Sequence, residues 1–415
     1  MKKKISLALV GLGFGVEFVP IYLHHPLIKN LTICDSDKKV LDTVGDRFEV
    51  KNRTADLEEI LKDEGIDAVH LVTPIPLHAQ QTIAVLKSGK HCACTVPMAT
   101  SVKDLFAILE AQRVSKKIYM GMETAVYTRR FIYAHEMLSK GEIGPIQFLR
   151  GAHYQDMEKW PPYWMGLPPM HYATHAVSPA LALAGTNARA VHCFGSGVMR
   201  PELHKQYNNP FPVETAIFEL ENETPLAAEI TRSLFHTARD YTESFHLYGE
   251  KGTFEWEQID GEKPVVFRMN PADKGSHLSD GRGNKITSEH INIPDRQDLL
   301  PKEIARFTQR SVYDETHEHL SFLQGGAHDG SHPHLVHEFV SSIFEERQPW
   351  PNGITTASWT AAGICAHESA IKGGERIEIP KFNFSSSNNS SPCLLYTSDA
   401  ADDTPCVDLG GRRII

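Results

Sequence analysis

The sequence predicts a two-domain α/β chain, with an N-terminal doubly wound parallel sheet followed by an α+β domain built on a large, mostly antiparallel sheet. Three observations carry that expectation. Short apolar runs alternate with helical periodicity at the start of the chain, and those runs are almost continuously apolar, as in strands covered on both faces. A close succession of longer strands follows, and a chain of 415 residues exceeds the usual size of a single hydrophobic core.

Taken in order, Ile5 to Val10, Leu31 to Cys34, Ala68 to Val72 and His91 to Cys94 read as strands, and Leu57 to Lys62, His78 to Ser88 and Val102 to Lys116 as helices. Alternation of this kind builds βαβ units, here over residues 1–123. Beyond Glu123 come a helix (Thr128 to Lys140), a strand (Ile146 to His153), a Pro-rich loop and a helix starting near His171. Strands are expected at Val191 to Val198, Glu214 to Leu220, Leu226 to Leu234, Ser244 to Tyr248 and Gly252 to Trp256. Helices from Pro333 to Glu346 and from Thr355 to Lys372 complete a second domain over residues 124–383. The remainder, 384–415, is Ser/Asn-rich and then aperiodic, and reads as a disordered, non-native tail resembling translated adaptor sequence; the native C-terminus is then missing or lies just after Lys381.

Composition narrows the function class. Apolar residues make up 41% and charged residues 23%, and no apolar run approaches the roughly 20 residues needed to span a bilayer. The net charge of -10 argues against nucleic acid, whose binding rests on phosphate neutralisation by Lys and Arg. Seven scattered cysteines read as reduced thiols, with Cys92 and Cys94 as two small buried side chains rather than metal ligands. The basic start Met1-Lys2-Lys3-Lys4 and the apolar run after it resemble a signal peptide, but the run passes directly into Gly11-Leu12-Gly13 and ends at Glu17. A first strand explains the same residues, which implies a cytoplasmic protein.

The turn Gly11-Leu12-Gly13-Phe14-Gly15 sits between the first strand and a helix, where glycines let backbone N–H groups approach a pyrophosphate in a Rossmann dinucleotide site. The third glycine of G-x-G-x-x-G belongs at position 16, which is Val16; Gly15 comes one residue early. Asp35 ends the second strand at about the usual 20-residue offset, where a carboxylate can bond the ribose hydroxyls and repel a 2′-phosphate, favouring NAD over NADP. The alternative is that Asp35 merely opens a loop with Asp37.

From Asp67 the chain reads Asp67-Ala68-Val69-His70-Leu71-Val72-Thr73-Pro74-Ile75-Pro76-Leu77-His78, then Ser88-Gly89-Lys90-His91, then Thr95-Val96-Pro97-Met98-Ala99. This resembles the Gfo/Idh/MocA family of nicotinamide-dependent, mostly sugar-acting oxidoreductases. The resemblance implies that Thr73, Pro74 and His78 line the nicotinamide end and that Pro97 makes the tight turn beside it, with Gly11, Gly13, Phe14, Gly15, Asp35 and Thr95 completing an NAD site. One departure stands out: the family's Glu-Lys-Pro, whose lysine bonds the reacting hydroxyl, is Thr95-Val96-Pro97. Several later segments are similar to the family's NAD-dependent glycosidase branch, typified by α-N-acetylgalactosaminidases, which also carries Val-Pro there. They are Met122-Glu123-Thr124-Ala125-Val126-Tyr127-Thr128-Arg129-Arg130, Tyr172-Ala173-Thr174-His175, Tyr241 before Gly249, and His328-Asp329-Gly330. That resemblance implies active-site roles for His175, Tyr172, Glu123 and Tyr241.

The chemistry so implied removes a hydride from a sugar C3 carbon, which acidifies the C2 proton; elimination expels the C1 substituent, water adds and the hydride returns. Such a path needs two bases and an acid, tasks to which His and Tyr can be tuned. Helical spacing would put Tyr172 and His175 on one face, with His171 sharing it. Glu123 follows the apolar strand Tyr119 to Met122 and so falls at a strand's C-terminal end, where α/β sheets open their ligand crevice. Trp160, Tyr163 and Trp164 could stack on a sugar face or plug the core. His328, His332, His334 and His337 lack the acid or Cys partners of a metal set, so no metal is expected. Three functions stay open: a glycosidase acting through transient oxidation, a plain sugar or polyol dehydrogenase, and a non-catalytic NAD-binding protein. The expected partner is a small carbohydrate. Oligomeric state is left open, with the wide second-domain sheet as the face that relatives often use to pair into a homo-oligomer.

Overall fold

The computed structural model describes residues 4–159, 166–207, 209–259, 261–270, 285–309, 311–312, 322–323 and 328–383. Trp160, Tyr163 and Trp164 and the segment 384–415 lie outside the described residues. Packing divides the chain into two units, each interrupted in sequence: 1–127, 295–361 and the residues from 381 onward belong to one, 128–294 and 362–380 to the other.

The first unit begins with β1 (Ile5–Val10), a 3-10 turn (Gly15–Phe18), α1 (Val19–His24), β2 (Ile28–Cys34), α2 (Lys38–Arg47), β3 (Asn52–Thr54), α3 (Leu57–Lys62) and β4 (Ala68–Leu71). It continues with α4 (His78–Lys87), β5 (His91–Thr95), α5 (Val102–Ser115) and β6 (Tyr119–Met122). The six strands form a parallel sheet in the order β3-β2-β1-β4-β5-β6. Every residue of β1, β4 and β6 is buried, which is why these strands read as continuous apolar runs. Local chemistry sets the helix starts: the Asp37 carboxylate accepts the Lys39 and Val40 N–H groups at α2, and the Ser101 hydroxyl accepts the Asp104 N–H at α5. Strand order reverses between β1 and β4, so the ligand crevice of such a sheet opens where those two strands end, at Gly11 and at Val72 and Thr73.

The second unit contributes α6 (Arg129–Ser139), β7 (Ile146–Tyr154), a 3-10 turn (Pro169–Tyr172), α7 (Thr174–Ala184), β8 (Ala188–Ser196) and α8 (Pro201–Tyr207). The strands β9 (Val213–Leu220), β10 (Ala227–Ser233), β11 (Thr242–Gly249), β12 (Gly252–Glu255), β13 (Val265–Asn270) and β14 (Lys285–His290) follow. After α9 (Lys302–Ala305), β15 (Ser311–Val312), β16 (Phe322–Leu323), α10 (His332–Glu345) and α11 (Gly353–Ile371), the strand β17 (Ile377–Glu378) closes a nine-stranded sheet in the order β14-β13-β12-β11-β7-β10-β9-β8-β17. Among the described residues, β7 and β10 are the one parallel pair in this sheet. One face is covered by α7, lying over β7, β10 and β11, and the strands accordingly alternate, as in the buried Glu214, Ala216, Phe218 and Leu220 of β9.

Two features differ from the expected organisation. Residues 295–361, placed with the second domain by sequence, pack in the first unit: α10 buries Leu335, Val336, Phe339 and Val340 and lies against α1 and the Gly15–Phe18 turn. Aromatic and imidazole contacts fix it there, with the His332 ring 4.7 Å from that of Phe18 and His25 Nε2 3.1 Å from His337 Nδ1. The helix expected from near His171 starts only at Thr174, because Pro169 to Tyr172 form a separate 3-10 turn.

Burial lowers the His25 and His70 imidazoles to about 3 and that of His337 to about 4, so all three are neutral in the folded chain. The Leu27 N–H donates to His25 Nδ1, which leaves Nε2 protonated and donating to His337 Nδ1. Their folded values lie below the unfolded value of about 6.5, so the unfolded chain binds more protons below that pH. The stability they contribute is complete above pH ~6.5 and is lost as pH falls towards ~4, at about 1.4 kcal/mol per pH unit for each histidine. The urea midpoint should therefore drop between pH 7 and pH 5, and His337→Gln should flatten that dependence; an unchanged midpoint across the range would refute the assignment.

Candidate functional site

In the first unit the glycine turn is fixed by contact rather than by helix formation. Gly11 donates its N–H to the Cys34 carbonyl at 2.8 Å and stands at φ +89°, and a Cβ there would lie 2.3 Å from the Val72 carbonyl oxygen. No other residue fits both demands. A Cβ on Gly13 would meet no atom within 4 Å, so the backbone there is open to a ligand, whereas Gly15 faces Val72 at 3.4 Å. Phe14 remains 38% exposed on the turn, its ring 5.5 Å from that of His328. The chain then enters the 3-10 turn and the six-residue α1 instead of the longer helix such turns usually open.

Asp35 does more than open a loop. One carboxylate oxygen accepts the Leu12 N–H at 2.8 Å and the other the Asp37 N–H at 2.8 Å, tying the end of β2 to the glycine turn. Each oxygen keeps a further lone pair for a ribose hydroxyl. Across the crevice Thr73 donates its hydroxyl to Gln81 at 2.5 Å and Pro74 is exposed. His78 is fully buried, with Nε2 2.8 Å from the Thr73 carbonyl and Nδ1 2.8 Å from the Pro97 carbonyl. Its place is therefore behind the loop ends, bracing one against the other. The Thr95 hydroxyl lies 3.5 Å from the same Nε2, Val96 is buried at 6% exposure, and the Val96–Pro97 bond is cis. An open backbone at Gly13, a strained Gly11 and a carboxylate at the tip of β2 fit a dinucleotide. Glu123, at the end of edge strand β6, is fully buried and accepts the Ala125 N–H at 3.0 Å, capping the turn that follows.

The second unit assembles the other three candidates. His175, in the first turn of α7, has Nε2 3.1 Å from the Tyr172 hydroxyl and 3.7 Å from Glu243 Oε1. The Tyr241 hydroxyl donates to the same Glu243 oxygen, and desolvation together with that carboxylate holds the Tyr241 phenol well above its ordinary value. At the centre stands His153 of β7, fully buried, its ring 5.3 Å from His175, 5.4 Å from Tyr241 and 5.8 Å from Tyr172. Beside it the buried Arg232 guanidinium donates to the carbonyls of Tyr172 (2.9 Å), His153 (3.2 Å) and Ser233 and to Gln155 Oε1 (2.7 Å). Burial lowers this guanidinium to about 10, so it stays cationic at neutral pH.

His171 does not join this group. Residues of a 3-10 turn do not continue the angular spacing of α7, and the His171 ring turns to His367, 5.1 Å away. Of the histidines grouped in sequence near α10, His328 and His332 stay together, their rings 5.1 Å apart and both against Phe14, with His332 Nδ1 3.2 Å from Glu17, whereas His337 meets His25. His153, Arg232 and Glu243 were not singled out by sequence reasoning. The available signal was proximity in sequence, since Glu243, near the start of β11, lies two residues from Tyr241.

Residues 5–122 match the family described as the GFO_IDH_MocA oxidoreductase family with an NAD-binding Rossmann fold. Among curated relatives, glycosyl hydrolase family 109 protein 1 of Phocaeicola vulgatus is 25% identical over 60% of this chain and 59% of its own length. The glycosyl hydrolase family 109 protein of Saccharopolyspora erythraea is 22% identical over 91% of this chain and 83% of its own. The match thus spans under two thirds of the former. Among solved structures, a levoglucosan dehydrogenase in complex with NADH and levoglucosan superposes with a TM-score of 0.68 at 20% identity, covering 91% of this chain and 100% of the other. The myo-inositol 2-dehydrogenase of Lactobacillus plantarum gives 0.67 at 16% identity, covering 91% and 100%. Among the described residues no helix is long and apolar enough to cross a membrane. Residues 5–122 thus carry the NAD-binding Rossmann fold of the Gfo/Idh/MocA oxidoreductase family, and the chain as a whole is similar to glycosyl hydrolase family 109 proteins.

Proposed function

We propose that this protein is a carbohydrate-active enzyme that cleaves a glycosidic bond by transient oxidation at the sugar C3 carbon, elimination and hydration. The observation that carries the reading is the grouping of Tyr172, His175, Glu243 and Tyr241 in a chain whose family lysine position is the buried Val96. Valine exchanges no proton, so this work falls to other side chains. The names of the glycosyl hydrolase family 109 relatives favour the same reading.

NAD, held by Gly11, Gly13, Phe14, Gly15, Asp35, Thr73, Pro74, Thr95 and Pro97 with His78 bracing the last loops, would supply reversible acceptance of a hydride. The chain's own share is proton handling. His175, hydrogen-bonded to Tyr172, is suited to take a proton from a hydroxyl or an acidified C–H. Tyr241, whose hydroxyl Glu243 orients, is the candidate donor of a proton to the leaving oxygen. Glu123 is the fourth candidate, a carboxylate buried where β6 ends. A plain sugar or polyol dehydrogenase is the second reading, favoured by the names of the solved neighbours.

Incubation with a panel of nitrophenyl glycosides in deuterated water, without added cofactor, separates the readings. Nitrophenol release with deuterium at C2 and no accumulation of NADH is the expected result. Stoichiometric NADH from free sugar and added NAD would make the protein a dehydrogenase, and bound NAD with neither signal would make it non-catalytic. His175→Ala should lower turnover by about 10²–10⁴-fold with NAD binding retained, and an unaffected rate would remove His175 from the site. Gly13→Ala should leave the melting temperature within about 2 °C, since the added Cβ meets no neighbour, yet weaken NAD at least about tenfold in calorimetry.

A further inference from the structure

Below the turn that carries Tyr172, the sheet holds two buried charges of opposite sign in direct register, Glu214 of β9 and Arg232 of β10, both at 0% exposure. Their hydrogen bonds bracket the same 3-10 turn from its two ends. Glu214 Oε2 accepts the Met170 N–H at 2.9 Å, near the turn's start, while Arg232 Nε donates to the Tyr172 carbonyl at 2.9 Å, at its last residue. Pro168 and Pro169 offer no N–H of their own, so Met170 is the first amide donor in this stretch and Glu214 receives it. Gly363 completes the seat from the other side, because a Cβ there would stand 2.2 Å from the Met170 carbonyl oxygen.

Two ions at 0% exposure are an expensive way to hold a four-residue turn, and apolar side chains of similar volume are often no less stable in such places. What the ions provide is position. The Arg232 guanidinium also stands 5.6 Å from the Tyr172 ring, and Glu214 is itself oriented by His367, whose Nδ1 lies 2.7 Å from Oε1. From these contacts we infer that Glu214 and Arg232 are positioning residues that clamp the 169–172 turn and so set the Tyr172 hydroxyl against His175. The inference rests on the reading of Tyr172 and His175 as a proton-transfer pair, and the clamp itself can be observed without turnover.

Hydrogen exchange on the full-length protein reads the clamp. In Glu214→Ala and in Arg232→Lys, amides of the 166–173 segment should exchange at least about tenfold faster, while those of β7 and β10 keep their protection. Glu214→Gln, which retains an acceptor for the Met170 N–H, should stay within about threefold of the parent. On a glycoside that the parent turns over, Arg232→Lys should cut kcat at least about tenfold with KM within about twofold, and should add less than about twofold to the loss in a Tyr172→Phe background. Unchanged exchange in Arg232→Lys overturns the clamp, and so do losses that multiply independently in the double variant. A Tyr172→Phe variant with the parent's kcat would instead remove the proton-transfer reading of Tyr172, leaving the clamp to stand or fall on exchange alone. The same arm decides it if Glu214→Ala does not fold, since Arg232→Lys and Glu214→Gln remain.

Discussion

The second unit depends on one constraint: a row of buried charged and imidazole groups, Glu243, His153, Arg232 and Glu214, lies in register across β11, β7, β10 and β9. Because strand side chains alternate faces, slipping any of these strands by one residue would turn its member of the row to the opposite face and strand its neighbours. The row therefore adds a register constraint to the one set by the apolar residues around it. It also explains why the chain can carry Tyr172 on a short turn rather than within a helix. The polar groups that locate that turn come from the sheet beneath it, so its accuracy does not depend on the turn's own few hydrogen bonds.

The first unit uses a related device, with single side chains that each hold two stretches of backbone. His78 lies between the carbonyls of Thr73 and Pro97, so a single imidazole spans the loop after β4 and the loop after β5. Burial lowers its proton affinity, and in the neutral form it donates to one carbonyl at a time. Asp35 does the same between β2 and the glycine turn. In both places a residue that family resemblance associates with the ligand is engaged in holding backbone: His78 wholly so, and Asp35 with one lone pair on each oxygen left over.

How far these features were legible in the sequence follows from their physics. Strands β1, β4 and β5 were readable almost to the residue, since burial on both faces leaves a mostly apolar run, broken only by Ser6, by His70 and by the half-buried ends of β5. By contrast α2, with few apolar residues in Lys38–Arg47, and β3, three residues without one, carry too little pattern to be seen. His175, Tyr172 and Tyr241 were reached through resemblance, and the structure brings them together. His153, Arg232 and Glu243 were missed for a different reason: a polar residue in a strand reads as solvent-facing until register shows what lies opposite. Likewise the apolar face of α10 announced burial but not the surface that would bury it.

The discontinuity of the first unit bears on the order in which the protein can be made. Its residues 1–127 leave the ribosome early, but 295–361, including the α10 face that covers α1 and the Gly15–Phe18 turn, follow only after residues 128–294 of the other unit. During that interval the parallel sheet is complete while the surface awaiting α10, with Phe18 and its neighbours, is bare. A nascent chain of this design holds an exposed apolar patch while β7 to β14 of its second sheet are made, the kind of surface that chaperones bind.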